Sequence, residues 1–73
     1  MRLMVFPEAL RPHVEAVVVE ALGRGPEALT VTIVHLPTTK DWSVHATGLG
    51  DPLHERSLCD VVLDALRRTP NQG

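Results

Sequence analysis

Four histidines, one cysteine, one helix serine and a pair of spaced carboxylates are the residues of this 73-residue chain whose types lend themselves to chemistry. His35 and His45 fall in two segments that read as the arms of a hairpin. If Leu36 stands beside Trp42 and Val34 beside Val44, the two histidines are diagonal neighbours, about 7 Å apart. Two imidazoles at that separation can approach one metal ion. A closed zinc site wants four ligands at short spacings, however, and no such spacing joins them to His13, His54 or Cys59. They read as solvated strand histidines, and no metal or cofactor is expected.

Cys59 has the wrong surroundings for a nucleophile. A reactive thiolate needs an electropositive, partly exposed setting, whereas Asp60 follows directly and the apolar stripe of a helix runs alongside. A small buried thiol is the ordinary occupant of such a place. Ser57 lies in the same helix without a strained elbow to present it. Asp60 and Asp64, one helical turn apart, fall on a polar face as solvated charge. No catalytic constellation emerges, and the chain does not read as an enzyme.

The remaining candidate is backbone. Gly48-Leu49-Gly50-Asp51-Pro52 joins a strand to a helix, and Gly48 and Gly50 can aim free N–H groups at a phosphate or carboxylate. Asp51 is also a good N-cap, and Pro52 suits the first helical position. The order of elements around Gly48 and Gly50 is superficially similar to the double-stranded-RNA-binding domain. That resemblance implies a lysine-rich run opening the last helix and gripping phosphates. This chain has Asp51-Pro52-Leu53-His54-Glu55 there instead, so the phosphate contacts are missing and no family is assigned. The turn reads as a hinge whose anion is supplied by Asp51.

Five elements must position these residues. Residues 2–6 form a short strand ended by Pro7. A helix over 11–22 follows, with Pro12 in its first turn and Val14, Val17, Val18, Ala21 and Leu22 on one stripe. Gly23 and Pro26 stop it. Residues 30–36 and 42–48 are strands, the first β-branched almost throughout and the second alternating. The last helix covers 52–68, its stripe formed by Leu58, Val61, Val62, Ala65 and Leu66. The polar tail 69–73 is expected to be disordered, leaving one domain over 1–68.

The fold expected is therefore α+β, in the order β-α-β-β-α. Three strands form a sheet, and both helices pack on one face of it. On the hairpin register given above, Thr32, Val34, Leu36, Trp42, Val44 and Ala46 face the core. Val31, Ile33, His35, Ser43, His45 and Thr47 then face outward. An open face carrying Val31 and Ile33, together with open sheet edges, points to a partner. A second apolar strip, Cys59, Leu63 and Leu66, flanks the last helix, with Val19 at the matching position of the first; the two helices pack against each other there, or, failing that, the strip is an oligomer surface. Val31, Ile33, His35, His45, Cys59 and Leu63 are thus the interface candidates. A protein partner or a second copy of the chain is the expected occupant.

Composition narrows the classes further. A domain this short buries only about 60% of the surface exposed by its unfolded chain. Cys59 is its single cysteine, so no internal disulfide supports the thin core. Seven basic residues against nine acidic ones leave a formal net charge of −2, where a nucleic-acid binder carries a clustered basic excess. Only Arg67 and Arg68 are adjacent, at a helix C-terminus where positive charge is favourable without any ligand. No apolar run approaches the roughly 20 residues of a membrane span. The unpaired cysteine and the absence of a signal-peptide pattern before Pro7 suggest a cytoplasmic setting.

Overall fold

The computed structural model describes residues 1–69. The expected disordered tail lies outside these residues except for Thr69, which closes the last helix. Its N–H and its hydroxyl both donate to the Ala65 carbonyl, at 3.1 and 2.8 Å.

The chain forms strand β1 (Arg2–Phe6), helix α1 (Arg11–Leu22), strands β2 (Thr30–His35) and β3 (Trp42–Thr47), and helix α2 (Pro52–Arg68). A single 3-10 turn, Glu8–Leu10, leads into α1. This is the expected α+β order. The strand order is β1-β2-β3, with β1 parallel and β3 antiparallel to the central β2. β2 is paired on both sides, which suits its β-branched sequence, and β1 and β3 are edges.

Both helices cover one face of the sheet. Val14, Val17 and Val18 of α1 and Val62 and Leu66 of α2 bury against Val5, Val31, Ile33, Trp42 and Ala46. Leu29, just before β2, is also fully buried. The helix stripes follow the 3.6-residue period as expected, with one exception. Val61 is exposed, because its position points to the solvent side of α2 while Leu58 and Ala65 flank the core.

The hairpin closes one residue away from the expected register. Leu36 N–H donates to the Asp41 carbonyl at 2.8 Å, and Lys40 N–H turns back to the Leu36 carbonyl at 2.7 Å. Lys40 accomplishes this with φ of 58°, a left-handed conformation usually left to glycine. Leu36 therefore stands opposite Asp41 rather than Trp42, and Ile33 stands opposite Val44. Because side chains alternate along a strand, this shift of one residue turns β2 over. Val31 and Ile33 are 1% and 0% exposed. The expectation that they form an open, partner-binding face is overturned.

Candidate interaction surface

The uncovered face of the sheet is assembled from the alternate residues of each strand. Register places Arg2, Met4 and Phe6 of β1 beside Thr30, Thr32 and Val34 of β2, and these beside Thr47, His45 and Ser43 of β3. One end of the face is polar. At the other, Met4 and Phe6 are 41% and 50% exposed, Val34 is half-buried between Phe6 and Ser43, and Leu36 continues the row at 38%. Single exposed apolar residues are ordinary, but these four form one contiguous apolar row on a sheet face. Phe6 is the only phenylalanine of the chain.

Each sheet edge is met by side chains of the same chain. Arg2 N–H donates to the Leu29 carbonyl, so the backbone groups of Arg2, Met4 and Phe6 turn toward β2, and those of Leu3 and Val5 point outward. Arg11 of α1 covers that edge by donating from its guanidinium to the Leu3 carbonyl at 3.1 Å. The β1 edge is thereby blunted. At β3 the hydrogen-bonded pairing of Leu36 with Asp41 sets the alternation, so Trp42, Val44 and Ala46 direct their N–H and C=O groups away from β2. Two of these residues are met by side chains of the same chain, Trp42 by the Asp41 carboxylate and Ala46 by the Cys59 sulfur.

A groove of about 420 Å³ runs between the β3 edge and α2, bordered by Val44, Ala46, Glu55, Arg56, Cys59 and Asp60. Cys59 is half-buried there against the Ala46 backbone, and burial pushes its thiol above the usual cysteine range. It is a protonated packing residue at neutral pH. Leu63 is half-buried against the core. The strip formed by Cys59, Leu63 and Leu66 does not meet Val19, which lies 48% exposed on the far side, beside Arg11 and Leu3.

The histidines are dispersed. His35 faces the helix side of the sheet, its ring 4.6 Å from that of Trp42 and tilted by 50°. His45 is exposed on the opposite face, so the proposed diagonal pair does not exist. The same turn of β2 that buries Val31 parts these two histidines. His54 lies exposed in the first turn of α2, and His13 encloses its Nε2 without a hydrogen-bond partner among the described residues. No group of three or more metal-ligating side chains forms among the described residues.

The glycine turn is closed by the chain's own carboxylates. Asp51 Oδ1 accepts from the His54 N–H at 3.2 Å, and Glu55 Oε2 accepts from the Leu49 N–H at 2.9 Å. Negative charge thus sits where an added anion would bind. Gly48 has φ of +99°, and a Cβ on it would collide with the Ala28 carbonyl oxygen. Its role is close chain passage.

Three of the seven basic side chains are held locally: Arg11 by Glu15, Arg67 by Asp41 and Arg68 by Asp64. Thr32, Val34 and Leu36, expected in the core, lie on the uncovered face instead, beside Met4 and Phe6, whose exposure was not anticipated. Met4 and Phe6 alternate with Leu3 and Val5, but β1 is apolar from Leu3 to Phe6, which leaves the covered face undeclared in that stretch. No helix among the described residues is long and apolar enough to cross a membrane. Comparison with protein-family models, with curated proteins and with solved structures finds no match.

Proposed function

We propose that this domain is a non-catalytic protein-interaction module that works through the open face of its sheet. The observation that carries this reading is the contiguous row of Met4, Phe6, Val34 and Leu36, left uncovered while both helices crowd the other face. The polar residues Thr32, Ser43 and His45 border the row and supply the hydrogen-bonding rim that such surfaces use. A protonated, partly buried Cys59 needs no disulfide partner, which is in keeping with a cytoplasmic setting.

The local neutralisation of Arg11, Arg67 and Arg68 argues against a phosphate-tracking surface. A photo-crosslinking amino acid in place of Phe6 tests the reading in the cell of origin. A discrete adduct is expected from position 6 and none from a control at Ser57, on the exposed side of α2. Equal labelling from both positions, or none from either, overturns it.

A further inference from the structure

We infer that the open sheet face packs on the same face of a second copy of this chain, so that two sheets share one core between outer pairs of helices. The inference rests on the open-face reading and names its partner. Register sets the residues of the face on levels across the strands. Phe6, Val34 and Ser43 form one, Met4, Thr32 and His45 the next, and Arg2, Thr30 and Thr47 the last. The apolar side chains gather at the Phe6 end, where Leu36 extends the β2 row. A two-fold axis parallel to the strands sets the two Phe6 ends together, whereas an axis across the strands would set the Arg2 level of one copy over Phe6 of the other.

Under the parallel axis the face is complementary to itself. The axis runs along the central β2, so β1 of each copy lies over β3 of the other and every level meets its own. Phe6, the one aromatic ring of the face, comes to lie over Ser43, its smallest side chain, and does so twice. Val34 and Leu36 meet their own copies on the axis between the two rings. Large over small in the outer rows, with like on like in the middle, lets two side-chain layers interdigitate at the ~10 Å spacing of packed sheets. Met4 covers His45 and Arg2 lies over Thr47, so no two like charges are set together. The three levels carry no carboxylate to desolvate.

The size of the face sets the affinity class. It offers about ten residues per copy, where a standard interface engages roughly 20–30 a side. Phe6, half exposed in the single chain, supplies the buried anchor on which so small an interface depends. The dimer is therefore a reversible one, with a dissociation constant of about 100 μM.

Sedimentation of the full chain from about 10 μM to about 1 mM tests this, with Ser43→Trp and Val34→Lys run beside the wild type. Mass should rise from one chain to two over that range. Ser43→Trp fills the space that receives Phe6, and should raise the dissociation constant about tenfold although it adds apolar surface. Val34→Lys sets two like charges on the axis and should hold the protein as single chains throughout. Ser43 is exposed on an edge strand, so its variant keeps the test open should Val34→Lys fail to fold. A wild type that stays a single chain at about 1 mM overturns the inference. A discrete adduct from position 6 in the cell then leaves the open-face reading standing, and the lack of one removes both. A dimer that Ser43→Trp tightens or leaves unchanged also overturns the inference, because Phe6 of one copy would not then rest on Ser43 of the other.

Discussion

Arg67, in the last turn of α2, grips Asp41 at the mouth of the hairpin with two parallel hydrogen bonds of 3.1 and 2.8 Å. The guanidinium holds the Asp41 carboxyl well below its ordinary range, at about 2 against 3.8, mainly through this hydrogen bonding. A carboxylate depressed on folding adds stability that is complete above its unfolded pKa and lost as pH falls through the folded one. The contribution of this pair should therefore fade between about pH 4 and pH 2. Urea midpoints of the wild type and Asp41→Asn should differ at pH 6 and converge across that window, and added salt should narrow the difference because the pair is exposed. A difference that persists at pH 2 would refute this account.

Gly48 and Gly50 both have positive φ, but only Gly48 is also sterically confined. Gly50→Ala meets nothing within 4 Å and should cost only the backbone term, about 1 kcal/mol. Gly48→Ala places a methyl against the Ala28 carbonyl and should cost about 3 kcal/mol or more. Denaturant unfolding of the two variants orders them, and equal losses would count against the close passage of the two segments.

Ile33 and Phe6 sit on opposite faces of the same sheet. Ile33→Ala empties a fully buried site and should destabilise the domain by about 2–5 kcal/mol. Phe6→Ser removes a half-exposed ring and should change stability by no more than about 0.5–1 kcal/mol. Chemical denaturation of both variants checks the assignment of faces, which the reverse order of losses would invert.

Lys40 holds a left-handed backbone at φ 58° to complete the turn between β2 and β3. Lys40→Gly relieves that strain, and should stabilise the domain by about 0.5–1 kcal/mol despite the greater freedom of glycine in the unfolded chain. A rise in urea midpoint at unchanged slope is the expected result; a fall would show that the Lys40 side chain contributes more than its backbone costs.

The elements themselves were legible because their signals are local. The valine stripe of α1, the cap Asp51 with Pro52 behind it, and Gly23 at the end of α1 each act within a turn or two of chain, and the bounds of both helices follow from them. The order β-α-β-β-α and the shared face for the helices followed too, because each apolar stripe had to be covered. What the chain could not declare was which side of β2 that cover lies on.

That choice turned on one residue. A β-strand repeats every two positions, so a hairpin closed at Leu36 and Asp41 rather than Leu36 and Trp42 exchanges the two faces of β2 while Trp42, Val44 and Ala46 of β3 keep the core side. Lys40 conceals the closure, since lysine gives no hint of the left-handed turn that glycine would announce. Val31 and Ile33 therefore went to the core, His35 and His45 parted, and the exposed row passed to Met4 and Phe6. The contacts of Arg11 with Leu3 at one edge and of Cys59 with Ala46 at the other likewise belong to the tertiary structure, because they join residues that no periodicity brings together. Local sequence determined which segments are helix and strand; only the packed arrangement decided which side chains the sheet presents to solvent.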